Sequence, residues 1–190
     1  DIDSVSFSLP FDIDKKAKNA NGHLTATKDK LTVYYDDKAV REFAVSDISK
    51  ITVEQLIGCS MLCVRDMHGR DICVCQFSQK YYMRYAELAK IYDGEIVSAD
   101  SMQIYKGLSI ATAKPTKEEM QGVPHYLIDF LEPEQAFSVA DYVKLAGERI
   151  REIHSRGKVP ILCGGTGLYI SSLVNNVIFD DTETDGSVRK

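Results

Sequence analysis

The hydrophobic pattern changes period once along the chain, and that change sets what the chain can fold into. Up to about residue 77 it reads as short β segments. Ser4-Val5-Ser6-Phe7-Ser8-Leu9 alternates polar and apolar, the mark of a half-buried strand. Leu24 to Thr27 and Leu31 to Tyr35 follow, split by Lys28-Asp29-Lys30, and then Val40 to Val45 and Ile51-Thr52-Val53. Ser60 to Val64 and Ile72 to Phe77 form a hairpin around His68-Gly69. Lys15 to Gly22 reads as a polar loop with an Asn-Gly turn signal. Regular short strands separated by turns predict an antiparallel barrel or sandwich. Gln79 to Tyr92 then carries Tyr82, Tyr85, Ala86, Leu88 and Ala89 on one helical stripe, which predicts a closing helix.

From residue 94 the pattern alternates strand and helix. Ile96-Val97 is a short β-branched run suited to a strand buried on both faces. Thr116-Lys117-Glu118-Glu119 makes a capping box, and Gly122 stops that short helix. His125 to Phe130 reads as a second strand. Ser138 caps a long helix whose apolar positions Val139, Tyr142, Val143, Ala146, Ile150 and Ile153 keep a helical period, and Gly157 ends it. Val159 to Cys163 is a third strand, after which Thr166 caps a helix running towards Asn176. Strand, helix, strand, helix predicts parallel pairing with right-handed crossovers. The fold class is therefore α+β overall: residues 1–84 as a β module, residues 85–190 as a partial α/β domain. Asp180 to Lys190 is an acidic, polar tail that reads as leading into further sequence. Opening on Asp1 without a Met, the chain reads as a fragment or a processed product.

Composition narrows the function classes. The net charge is −5, so RNA binding draws no support from an excess of Lys and Arg. No run of 18 apolar residues and no signal peptide is present. The cysteines are Cys59, Cys63, Cys73, Cys75 and Cys163. A regular hairpin around His68-Gly69 sets Val64 opposite Cys73 and Leu62 opposite Cys75, with Cys63 pointing the other way. Cys-x3-Cys with Cys-x-Cys is also a poor zinc pattern. The reading is reduced core thiols, no protein-held metal, and a cytoplasmic protein.

Two stretches carry chemistry. Asp100 falls just past the carboxyl end of the Ile96-Val97 strand, where open α/β sheets place their sites. It is either a turn-capping Asp or a catalytic carboxylate. Gly164-Gly165-Thr166-Gly167 turns a strand into a helix, and offers either a tight turn or free N–H groups for an anion. Gln103 can bond an adenine edge or serve as a polar turn residue. Asp129 is equally a cap or a site residue. His125 reads as structural, and Lys114 as a solvated loop lysine.

Asp100-Ser101-Met102-Gln103-Ile104-Tyr105-Lys106-Gly107, Thr112-Ala113-Lys114-Pro115, Gly122-Val123-Pro124-His125-Tyr126-Leu127-Ile128-Asp129 and Gly164-Gly165-Thr166-Gly167-Leu168-Tyr169 stand in this order. Together they resemble the tRNA dimethylallyltransferase (tRNA isopentenyltransferase) family over about residues 85–190. The resemblance implies a P-loop-type, nucleotide-binding (ATP-binding) α/β sheet. It also implies transfer of a dimethylallyl group from dimethylallyl diphosphate to the exocyclic amine of an adenine beside the tRNA anticodon. Asp100 would be the general base. Ser101, Met102 and Gln103 would line the adenine pocket, and Gly164, Gly165, Thr166 and Gly167 would contact tRNA. Mg2+ would help the diphosphate leave. Ala111 is a mild departure, since many relatives have Gly there. A larger one is that no Gly-x-x-x-x-Gly-Lys-Ser/Thr loop precedes Tyr85. The pyrophosphate cradle is missing, so the resemblance implies an impaired enzyme.

Residues 1–84 resemble a pleckstrin-homology-like β module, of the kind found ahead of the membrane region in some bacterial ABC transporters. The phrases that carry this are Leu24-Thr25-Ala26-Thr27-Lys28-Asp29-Lys30-Leu31, Val53-Glu54-Gln55-Leu56-Ile57-Gly58-Cys59 and Cys75-Gln76-Phe77-Ser78. The alternative to a prenyltransferase is thus a non-catalytic binding or scaffold protein built on this module. A third reading, a P-loop kinase relative, is weakened by the same missing lysine.

Overall fold

The computed structural model describes residues 7–13, 19–108 and 112–182. The expected start of the first strand at Ser4, the departure at Ala111 and most of the polar tail lie outside them.

Seven strands form two antiparallel meanders, the first β1 (Phe7–Ile13), β2 (Asn19–Ala26), β3 (Lys30–Tyr35) and β4 (Lys38–Ala44), the second β5 (Ile48–Gln55), β6 (Cys59–Asp66) and β7 (Asp71–Ser78), joined where β1 pairs with β7. A 3-10 turn, Gln79–Arg84, leads into α1 (Tyr85–Ile91). Then come β8 (Glu95–Ser98), α2 (Lys117–Met120), β9 (His125–Tyr126), α3 (Val139–Ser155), β10 (Pro160–Gly164) and α4 (Gly167–Thr182). All ten strands join one sheet in the order β4-β3-β2-β1-β7-β6-β5-β10-β8-β9. The architecture is α+β, with an antiparallel part and a parallel part in one mixed sheet.

The two parts meet where β10 pairs in parallel with β5, Ile161 opposite Ile51 through Gly164 opposite Glu54. On its other edge β10 pairs in parallel with β8, Ile161 opposite Ile96. Side chains of a strand alternate between faces, and here the alternation divides the core in two. Ile51, Val53, Ile96, Ile161 and Cys163 join α1 and the buried residues of the meanders in one cluster. Val97, Ala99 and Leu162 face the other way, onto Tyr142, Ala146, Ile150 and Ile153 of α3 and onto Tyr169, Ile170 and Leu173 of α4. Tyr142 and Tyr169 stack with ring centroids 4.0 Å apart.

Three local expectations change. Asn21-Gly22 lies inside β2, where Gly22 pairs with Phe11. A methyl group on Gly22 would stand 2.3 Å from the Phe11 ring, so the glycine is there to admit the aromatic ring, not to turn the chain. The second parallel strand is only two residues long. Leu127 and Asp129 take left-handed backbone angles (φ 59 and 57), which bends the chain away from β8. The hairpin register also slips: Leu62 sits opposite Cys75 as expected, but Cys63 faces Cys73 and Val64 faces Ile72. Val74 is the extra residue of a β-bulge.

Beneath the amino ends of the parallel strands is a buried ion pair. Glu95 is 1% exposed. Its Oε2 accepts from Arg156 Nη2 at 2.7 Å and from the Tyr126 hydroxyl at 2.8 Å, and Lys158 Nζ lies 3.5 Å from Oε1. The Arg156 hydrogen bond comes first among the causes that hold the Glu95 carboxyl at about 2 instead of the usual 4.5. A depressed carboxyl contributes stability above its unfolded pKa, and that contribution is lost as pH falls through the folded value. We therefore predict that stability falls between about pH 4.5 and pH 2 in a step that Glu95→Gln removes. Arg156→Met leaves the buried carboxylate with Tyr126 and Lys158 alone and should cost about 1–3 kcal/mol at pH 7. Urea melts of the three proteins across this pH range check both.

Candidate functional site

Because β5, β10 and β8 run parallel, their carboxyl ends lie at one edge of the sheet. That edge carries Asp100, Ser101, the Gly164–Gly167 turn and, from β5, Glu54 and Gln55. Two strand ends come unusually close there. Ala99 N donates to Cys163 O at 2.7 Å and Thr166 N donates to Ala99 O at 3.0 Å. A methyl group on Gly164 would stand 2.3 Å from the Ala99 carbonyl, so only glycine allows this approach.

Thr166 begins α4, its carbonyl accepting from Tyr169 N at 2.9 Å and Ile170 N at 3.2 Å. Its side chain does something the sequence did not suggest. Thr166 Oγ1 accepts from Ser101 N at 2.9 Å and donates to Ser101 Oγ at 3.2 Å. The hydroxyl ties the Asp100 loop to the start of α4. Asp100 itself caps its own turn: Oδ1 accepts from Met102 N at 2.8 Å and Gln103 N at 3.2 Å. Oδ2 takes no part in that turn. Both Asp100 and Ser101 are half-buried, and Met102 is exposed.

The Gln103 amide is spent on structure, since Nε2 donates to Thr112 O at 2.9 Å. Lys114 is not a solvated lysine: its side chain is 6% exposed and ion-paired with Asp129 at 2.6 Å. It also donates to Tyr105 O at 2.7 Å. The pair fixes the return of the loop and holds the Asp129 carboxyl below its ordinary range, first through the Lys114 hydrogen bond. His125 Nδ1 lies 2.7 Å from Val123 O, so Nδ1 carries the proton and Nε2 is an acceptor. Nε2 is buried without a partner among the described residues, and burial keeps the ring neutral by pushing its pKa down. It borders a cavity of about 20 Å³, shared with Tyr82, Tyr85, Ser98, Gln103 and Cys163. That is room for about one water molecule.

The structure thus brings Asp100, Ser101, Gly164, Gly165, Thr166 and Gly167 together, with Gln103 bracing them from behind. Sequence reasoning missed Glu54 and Gln55, because nothing local indicates that β5 lies beside β10. A methyl group on Gly167 would stand 3.4 Å from Glu54 Oε1, and one on Gly165 would stand 3.6 Å from Gln55 Oε1. Burial pushes the Glu54 carboxyl up. The start of α4 could offer N–H groups to an anion, yet a carboxylate stands beside it. Of the loop lysines, Lys114 is held by Asp129, and Lys106 pairs at the surface with Glu132 at 2.5 Å. Among the described residues no three His, Cys, Asp or Glu side chains converge on a metal position. The residues present do not fit a diphosphate–Mg2+ unit.

Residues 103–190 match the family model described as IPP transferase. The chain is 57% identical over 104 residues to a tRNA dimethylallyltransferase of Thermoanaerobacter sp. (strain X514), a match that covers 55% of this chain and 33% of that protein. It is 53% identical over 103 residues to one of Bacillus pumilus (strain SAFR-032), covering 54% and 32%. Among solved structures it is similar to the tRNA isopentenylpyrophosphate transferase of Bacillus halodurans. That match has 51% identity, covers 50% of this chain and 32% of that one, and has a TM-score of 0.49. The chain therefore spans about a third of the length of the curated relatives it matches, and the matching part is about half of its own length.

Two substitutions test the geometry. Thr166→Val keeps the shape and leaves the Ser101 N–H without its acceptor. It should cost about 1–2 kcal/mol, with faster hydrogen exchange at Ser101 and unchanged exchange along β10. Gly164→Ala forces the strand ends apart and should cost about 1–3 kcal/mol, read as a lowered Tm.

Proposed function

We propose that residues 85–190 are the adenine-facing part of a tRNA dimethylallyltransferase site, impaired for catalysis, joined to a β module at residues 1–84. The observation that carries this is the Asp100 loop, pinned at the sheet edge by Thr166. In such a site the substrate is an adenine beside the tRNA anticodon and the donor is dimethylallyl diphosphate. As the new C–N bond forms the exocyclic amine becomes acidic, and Asp100 accepts its proton. A carboxylate within hydrogen-bond reach suits that role. Ser101 and Met102 border the base, and Gly164, Gly165, Thr166 and Gly167 frame the path of the RNA. Gln103 acts by bracing the loop.

Departure of the diphosphate needs cationic help, and this chain offers little. Glu54 and Gln55 occupy the side of the α4 start that β5 faces, and no Gly-Lys loop precedes Tyr85. Mg2+ would have to be held by the diphosphate and water alone, so we derive no step through it. A nucleotide-binding or ATP-binding role would need the same cradle and is weakened equally. The Glu54 carboxylate favours the second reading, a non-catalytic binding or scaffold protein. A pleckstrin-homology-like module at residues 1–84 draws support from the strand order 4-3-2-1-7-6-5 and from the helix that follows β7. No helix of the described residues is long and apolar enough to cross a membrane.

The test has two arms. Dimethylallyl diphosphate with Mg2+ should leave the Tm unchanged, since binding at about 100 times Kd would add roughly 2.7 kcal/mol. A clear rise would contradict the impairment, and a rise only in Glu54→Gln would identify the carboxylate as its cause. An anticodon stem-loop RNA should bind more weakly when the adenine is replaced by guanine, and more weakly to Asp100→Asn. Equal binding in all three cases would sink the prenyltransferase reading in favour of the scaffold.

A further inference from the structure

Cysteine is placed twice at one point of the second meander, and the bulge decides how. A regular hairpin would set Cys63 and Cys73 on opposite faces. The extra residue Val74 shifts the register so that Cys63 and Cys73 are direct cross-strand partners, with Thr52 of β5 beside Cys63. Directly opposed residues of an antiparallel pair have Cα atoms about 4.5–5.5 Å apart. A disulfide spans about 4.4–6.8 Å, so the spacing of a directly opposed pair is within its reach. The Cys73 thiol and burial push the Cys63 thiol well above its ordinary pKa. Both residues are half-buried, so a reagent can reach them, whereas Cys75 and Cys163 are buried. Cys59 is half-buried too, but it sits opposite Ser78 and its thiol donates to Gln76 Oε1 at 3.7 Å. It faces no second thiol.

The charged neighbours sit on the same face. Lys50, Arg65 and Asp71 are in register across β5, β6 and β7, two residues along from the thiol pair. Arg65 binds Asp71 at 2.7 Å, and Lys50 is 3% exposed. These groups flank the thiols without coming between them.

We infer that Cys63 and Cys73 are a dithiol modification site that closes to a cross-strand disulfide, with a low-molecular-weight disulfide such as oxidised glutathione as the oxidant. One cysteine thiolate attacks a glutathione sulfur and releases the first glutathione as a thiol. The second cysteine sulfur then displaces the other glutathione from the mixed disulfide. Both protein sulfurs are oxidised, both glutathione sulfurs are reduced, and the two protons leave on the two glutathione thiols. The bond staples β6 to β7. Since β6 pairs with β5, and β5 with β10, the staple acts on the strand that carries the rest of the sheet.

The whole chain is equilibrated in glutathione buffers of rising oxidation, quenched with acid, denatured, and its free thiols are counted. The reduced chain shows five thiols. The expected end point is a loss of two, with a peptide map that joins the Cys63 and Cys73 peptides and a raised Tm. Cys63→Ser and Cys73→Ser should each abolish the bridge, while Cys59→Ser should keep it; circular dichroism confirms that each variant is folded. Three outcomes overturn the inference: all five thiols persisting in fully oxidised buffer, a map that joins Cys59 to either partner, or a glutathione adduct that never resolves to the internal bridge.

Discussion

Strand β10 is what the rest of the structure depends on. Its backbone bonds to β5 on one edge and β8 on the other. Ile161 and Cys163 feed the core shared with the meanders, and Leu162 feeds the core under α3 and α4. A strand with both edges paired and both faces covered must be apolar throughout, and Pro160-Ile161-Leu162-Cys163-Gly164 is buried at every position. Remove it, and the antiparallel and parallel parts of the sheet have no common member.

The same strand explains both what the site has and what it lacks. Gly164 lets the end of β10 press against Ala99, which sets Thr166 within reach of Ser101 and holds the Asp100 turn in place. On the other edge β5 delivers Glu54 and Gln55 to the start of α4. A helix start of this kind attracts anions through its free N–H groups, and a carboxylate beside it opposes a diphosphate by like charge. One side of this edge is therefore closely braced around the Asp100 turn, while the other carries a carboxylate beside a helix start.

Much of the fold was legible in the residues. The β meanders, the closing helix, the capping box of Ser138 and Asp141, and the strand before Gly164-Gly165-Thr166-Gly167 all stand where local patterns put them. The misses are of a different kind. Asn21-Gly22 has the composition of a turn, yet Phe11 across the strand pair needs a residue without a side chain there. Lys114 has the look of a solvated loop lysine, but Asp129, fifteen residues away, folds back to take its charge. Thr166 has the right type and place for a cap, while its hydroxyl is claimed by Ser101, 65 residues earlier.

By itself the sequence determined most of the strands and helices, and where a carboxylate and a glycine-rich turn would fall along them. Those features rest on periodicity and backbone preference, which act over a few residues. Only the tertiary structure decided that β5 lies beside β10, that Glu54 faces the start of α4, and that a bulge at Val74 brings Cys63 onto Cys73. Each of these is a choice of partner and register. Such choices are made by packing and hydrogen bonding between segments far apart in the chain, whose cost and gain no local pattern records.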